Sequence, residues 1–172
     1  MKRVLVIGPG GAGKSVLSRV LASVTGLPLV HLDREYWGPG WKMPDPDDWS
    51  ARVAALTAGN AWILDGNHVA TLEQRLERAD AVVFLDFSRL TSLRGVATRL
   101  MTRAGRHRAD LAPGCRNRLD RAYLHWVWRF QRETRPLVME ALARHGDRVI
   151  VTTVRSRRQA NAWLDALKNT TA

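Results

Sequence analysis

The chain has 172 residues, 45% of them apolar and 25% charged, which fits one globular domain of 1–172 and excludes a disordered or fibrous chain. One cysteine, Cys115, excludes an internal disulfide and suits a reducing cytosol; with no run apolar enough for a signal peptide or a membrane span, a cytoplasmic protein is expected. The net charge of +11 is concentrated in residues 89–135, where twelve arginines face Asp110, Asp120 and Glu133. Such a field suits nucleic acid or the phosphates of a small ligand, or is simply a solvated basic face.

Along the chain, KRVLVI is a short β-branched run that predicts a buried first strand. Val16, Leu17, Val20, Leu21 and Val24 then recur at helical spacing until Gly26 stops the helix. PLVHL predicts a second strand ending at Asp33, and REYWGPGWKMPDP reads as a loop. Asp45 caps the next helix, with Pro46 at its first position and Trp49, Val53 and Leu56 as its apolar stripe. AWILDGN is a third strand running into a turn, residues 70–78 a short helix, and DAVVFLDF a fourth strand.

Leu93, Val96, Leu100 and Met101 mark a further helix, followed by the polar segment RAGRHRADLAPGCRNR. A long helix comes next, with Leu119, Tyr123, Trp126 and Phe130 on one stripe and a kink or division expected at Pro136. DRVIVTTV is the last strand. Ser156 and Gln159 make a capping box for the final helix, in which Ala160, Trp163, Leu164 and Leu167 face inward. Trp62, Trp126, Trp128 and Trp163 are expected in the core. Alternating strands and helices imply a parallel sheet covered on both faces, with ligands beyond the carboxyl ends of its strands.

The glycine-rich stretch GPGGAGKS satisfies two patterns. Gly8, Gly10 and Gly13 fit a dinucleotide fingerprint, and Asp33, twenty residues past Gly13, stands where a ribose-binding acid would. Gly8, Gly13, Lys14 and Ser15 fit a phosphate-binding loop, whose amides wrap a triphosphate while its lysine and hydroxyl serve the outer phosphates and Mg²⁺. Lys-Ser at the helix start and a second strand-end acid, Asp65, favour the triphosphate. Gly8, Gly10, Gly11, Ala12, Gly13, Lys14, Ser15 and Val16 are therefore expected to hold ATP, with Ser15 and Asp65 holding Mg²⁺. Asp65-Gly66 read alone is equally a tight turn. The guanine-reading Asn/Thr-Lys-x-Asp segment of GTP switches is absent.

GPGGAGKS, HLDREYWGPGW and WILDGN together resemble the small P-loop kinases related to adenylate kinase, and more narrowly the bacterial DNA topology modulation protein (FlaR-like) family. RAGRHRADLAPGC and VRSRRQ extend the likeness over nearly the whole chain. The resemblance implies a three-layer α/β fold with a five-stranded parallel sheet of order 2-3-1-4-5, a substrate-binding insertion at 34–60 and an Arg-bearing lid at 103–118. Asp65-Gly66 matches the start of the adenylate kinase DGFPR block. Asn67, His68 and Val69 depart from it, and its substrate-binding arginine is missing.

Phosphoryl transfer needs positioning and positive charge more than covalent help. Arg99, Arg103 and Arg106 follow at helical spacing with Arg108 just beyond, and with Gly105 as hinge they form the expected lid. Arg99, Arg155 and Arg157 are further donor-side candidates, the last two where relatives hold adenine. Asp33 orients or deprotonates an acceptor hydroxyl, or else supports Mg²⁺ or caps a loop. His31 reads as a hydrogen-bonded core histidine. Arg34, Asn67, Arg132 and Arg135 are candidate acceptor contacts, the last two equally solvated surface. Trp37 and Trp41 sandwich a planar acceptor or form the insertion's core. Cys115 has no evident metal or catalytic partner.

The expected function is an ATP- and Mg²⁺-dependent phosphotransferase, monomeric or homodimeric, acting on a small molecule such as a nucleotide or nucleoside-like compound. The alternative is an ATP-binding regulator that contacts nucleic acid through its basic segment, which lacks the interleaved aromatics of a single-strand platform.

Overall fold

A computed structural model of the chain describes residues 1–102, 112, 114–115 and 121–171. Five parallel strands form one sheet in the order β2-β3-β1-β4-β5. They are β1 (Arg3–Ile7), β2 (Leu29–His31), β3 (Trp62–Asp65), β4 (Ala81–Leu85) and β5 (Ile150–Val154). The helices are α1 (Lys14–Thr25), α2 (Leu32–Tyr36), α3 (Pro46–Thr57), α4 (Leu72–Leu76), α5 (Arg89–Thr102), α6 (Arg121–Arg144) and α7 (Arg157–Thr171). The fold is the expected three-layer α/β sandwich.

Alternation along the central strands sorts the core into two layers. Val4, Val6, Ile63 and Val83 face α1 and α7, meeting Leu17, Leu21, Ala160 and Leu164. Leu5, Ile7, Leu64 and Phe84 face the other way, towards Trp49 and Val53 of α3, Leu72 and Leu76 of α4, and Phe130 and Val138 of α6. All four apolar side chains of β1 from Val4 to Ile7 are fully buried, as a strand flanked on two edges and two faces requires.

Local signals act as expected at several ends. Gly26 caps α1 with φ 70°, its N–H donating to the Ala22 carbonyl. The Asp45 carboxylate accepts from the Asp47 amide before Pro46 opens α3. Ser156 Oγ accepts from the Gln159 amide while Gln159 Oε1 accepts from that of Arg155.

Elsewhere the structure corrects the expectations. β2 stops at His31, and Asp33 lies in the first turn of α2, inside the stretch read as loop. α6 runs undivided through Pro136. Both Pro136 and Arg132, whose carbonyl loses its helical partner, are exposed, so the break in the ladder falls on the solvent side of the helix. Val16, Met101 and Trp128 are exposed instead of packed inward. In α1 the buried position falls to Ser18, and Trp128 instead receives the Arg89 guanidinium over its ring at 4.8 Å. Among the described residues no helix is long and apolar enough to cross a membrane.

α6 is tied to the end of β4 by a two-pronged ion pair. Arg135 Nε and Nη2 each donate to the buried Asp86 carboxylate at 2.8 Å, and the Gln131 amide donates to the Phe87 carbonyl at 2.7 Å. The guanidinium holds the Asp86 carboxyl below its usual range. Asp86→Asn should therefore destabilise the fold by about 2 kcal/mol, less than for a fully enclosed pair because Arg135 is partly exposed. A depressed carboxyl contributes stability above its unfolded pKa of ~4 and loses it as pH falls through the lowered native value. Urea unfolding should show the two proteins converging in acid.

Candidate active site

The carboxyl ends of β1, β2 and β3 bring the phosphate-loop residues and both strand-end acids to one rim. There a cavity of about 760 Å³ is lined by Gly10, Gly11, Gly13, Lys14, Ser15 and Val16 of the loop and by Asp33 and Asp65. α1 begins at Lys14, so its first amides lack acceptors within the helix and face a site of positive potential. Gly13, with φ 92°, turns the chain into that helix. Lys14 Nζ folds back over the loop, donating to the carbonyls of Gly8 at 2.9 Å and Pro9 at 3.2 Å.

Helix α5 presses on this loop at Gly95. A Cβ on Gly95 would collide with the Gly11 carbonyl, and one on Gly11 (φ 83°) with the Ser92 carbonyl and Val96. Two side-chain-free residues are what lets helix and loop touch backbone to backbone.

Strand register sets the acid pairings. Asp65 stands level with Val6 of β1 and His31 of β2. His31 Nδ1 accordingly lies 2.7 Å from Asp65 Oδ2, which makes His31 the hydrogen-bonded histidine anticipated from sequence. Asp65 is only 4% exposed, and its Oδ1 is buried with no hydrogen-bond partner. The second acid is paired in parallel fashion, with His68 Nε2 3.0 Å from Asp33 Oδ1. Here the carboxylate is half exposed and the histidine largely buried.

The turn between β3 and α4 joins these parts. Asn67 is buried and grips Gly8 twice, its Oδ1 accepting from the Gly8 amide at 2.8 Å and its Nδ2 donating to the Gly8 carbonyl at 2.5 Å. Its side chain thus holds the glycine-rich loop, and Asn67 also lines the cavity with Asp33. His68 takes a left-handed backbone (φ 37°). Behind the turn, fully buried Arg75 donates to four main-chain carbonyls: Thr71 at 3.2 Å, Gly66 at 3.1 Å, His68 at 2.9 Å, and Asn67. Burial pushes the Arg75 guanidinium down to about 9, so it remains charged at neutral pH.

Aromatic rings complete the wall. Tyr36 meets Trp37 edge to face at 4.7 Å, and Trp37 meets Trp41 at 5.3 Å and 70°. Rings already in mutual contact leave no slot between them, so the sandwich imagined for Trp37 and Trp41 is not formed; the pair makes a corner. From α6, Tyr123 and Trp126 line the same cavity, and Arg99 Nη2 donates to the Tyr123 hydroxyl at 3.1 Å. The buried Arg99 Nε has no partner. Cys115 Sγ, without an evident partner in sequence, donates to the Gly38 carbonyl at 3.3 Å.

Other expected residues fall outside this cavity. Arg135 is engaged by Asp86 and, with Arg155, borders a separate crevice beside β4. Arg34 and Arg132 are exposed and do not line the cavity; Arg157 does. Arg103, Arg106 and Arg108 lie outside the described residues. Sequence reading missed Arg19, Tyr36, His68, Arg75 and Thr98. Of these, only Arg19 carried a signal, being one helical turn beyond Ser15.

No protein-family model matches the chain, and no curated protein matches it significantly. Solved structures do. A gluconokinase from Sinorhizobium meliloti 1021 superposes with a TM-score of 0.54 at 20% identity, covering 98% of this chain and 94% of that one. A shikimate kinase from Acinetobacter baumannii in complex with shikimate gives 0.62 at 16% identity, with 99% and 94% covered. At such identities the likeness establishes the fold alone.

Arg75→Met should cost about 3 kcal/mol, because four main-chain carbonyls lose a charged donor at once. Chemical denaturation of purified protein measures it, and a loss below about 1 kcal/mol would show that water replaces the guanidinium.

Proposed function

We propose that the chain is an ATP-dependent phosphotransferase acting on a small hydroxylated acceptor. The observation that carries this reading is the meeting, around one cavity, of a glycine cradle with Lys14 and Ser15, the buried Asp65 and the half-exposed Asp33. The kinase fold of the solved neighbours supports it.

The residues present fit both ATP and magnesium. Gly10, Gly11 and Gly13 present main chain without side chains to the cavity, and Asp65 Oδ1 is a buried carboxyl oxygen without a hydrogen-bond partner. Ser15 Oγ and Asp65 would hold the metal, directly or through water. When bound, ATP supplies the phosphoryl group and magnesium spreads the charge of its outer phosphates. His31 keeps one oxygen of Asp65 engaged and so orients the other. Lys14 provides an ammonium to the phosphates, moving from the loop carbonyls it now contacts. Arg99 offers a further guanidinium beside them, and Arg157 and Arg19 line the nucleoside end. Asp33 receives the acceptor's hydroxyl proton, with His68 fixing its carboxylate.

A nucleic-acid regulator draws less support. Of the arginines in its basic segment, Arg135 is held by Asp86, Arg129 by Glu133, and Arg99 by the Tyr123 hydroxyl inside the cavity.

Lys14→Ala should abolish phosphate transfer from labelled ATP while circular dichroism stays unchanged. Asp33→Asn should lower kcat by about 10²-fold or more yet still take up magnesium-ATP in calorimetry. If the wild-type protein takes up no magnesium-ATP, the proposal fails.

A further inference from the structure

Resting on the phosphotransferase reading, we propose that the acceptor is an alcohol carried on a flat, π-bearing ring. The ring lies against the aromatic corner beside Asp33 and presents its hydroxyl to that carboxylate.

Five aromatic side chains border the cavity that Asp33 enters: Tyr36, Trp37 and Trp41 from the segment after β2, and Tyr123 and Trp126 from α6. Tyr36 and Trp126 are anchored by packing against the core, so their positions are fixed before any ligand arrives. Trp37 stands edge-on to Tyr36 and to Trp41, so neighbouring ring planes lie nearly perpendicular. A flat ring entering such a corner stacks on one plane and meets the edge of the next, the two arrangements aromatic quadrupoles favour.

Backbone strain is the independent observation. Trp41 adopts a left-handed conformation, φ 67°, directly after Gly40 at φ 70°. A bulky residue rarely takes that region, and strain of this kind collects at ligand-binding loops, where the surrounding structure must hold it. Nothing about the turn requires an indole there; Gly or Asn would turn the chain without penalty. The indole packs against Trp37 and borders the cavity.

Beside the aromatic corner, the half-exposed carboxylate of Asp33, bonded to His68, is where the ring's hydroxyl is received. In the transfer itself the acceptor oxygen forms a bond to the γ-phosphorus of ATP as the bond from that phosphorus to the β–γ bridging oxygen breaks. The hydroxyl proton passes to Asp33, and ADP leaves with the electron pair.

The test compares thymidine and pyridoxine, two flat-ring alcohols, with gluconate and shikimate, two polyhydroxylated acids, as acceptors for the full chain with magnesium-ATP. The expected result is a kcat/KM for at least one ring alcohol ten-fold or more above both acids. Trp41→Leu should raise the KM for that alcohol at least tenfold with a smaller change in kcat, and Trp41→Phe should restore it. Equal or better turnover of gluconate or shikimate overturns the proposal. So does failure of both ring alcohols to be phosphorylated while magnesium-ATP is still taken up in calorimetry. Absence of that uptake would instead overturn the phosphotransferase reading on which the proposal rests.

Discussion

Between Asp65 and Val69 the chain makes a turn that touches both the phosphate loop and the helix carrying Asp33, and a guanidinium sealed from water holds it. Burying a charge without a carboxylate partner is costly. Here the cost is offset by four charge-assisted bonds to carbonyls of Gly66, Asn67, His68 and Thr71. Those carbonyls belong to an irregular turn that includes the left-handed His68, so cation and turn support each other. From this anchored stretch Asn67 reaches forward to Gly8 and His68 sideways to Asp33. The geometry at both ends of the cavity follows from one buried contact.

The sheet supplies the other constraint. With β1 in the middle and every strand parallel, the carboxyl ends of β1, β2 and β3 open onto the same rim. Register then does the fine placement: His31 and Asp65 are level neighbours and need no loop to bring them together. At the carboxyl end of β4 the contact of Asp86 with Arg135 holds α6 in place, and Tyr123 and Trp126 of that helix line the cavity.

The glycine-rich loop between β1 and α1 was legible because its pattern is written in eight contiguous residues at fixed spacing. The strands were legible from β-branched runs and the α3 and α7 stripes from helical periodicity, whereas strand order entered only through the likeness of GPGGAGKS, HLD and DGN to known kinases. Long-range pairings were hidden. His31 and Asp65 are 34 residues apart, and their contact depends on a register that no local pattern encodes. Arg75 looked like any arginine of a short helix, since full burial is decided by what packs over it. Arg135 looked like a spare cation in a basic segment until the fold brought Asp86 from 49 residues away. Trp37 and Trp41 were visible as a pair, but their mutual contact was not, because it depends on the left-handed turn at Gly40 and Trp41.

The meeting of Gly11 and Gly95 has a mechanical consequence. Two bare backbones in contact behave like meshed teeth, with no flexible side chain between them to absorb a displacement. A shift of α5 at Gly95 bears directly on the backbone at Gly11, so the Arg89–Thr102 helix and the glycine-rich loop form one mechanical unit.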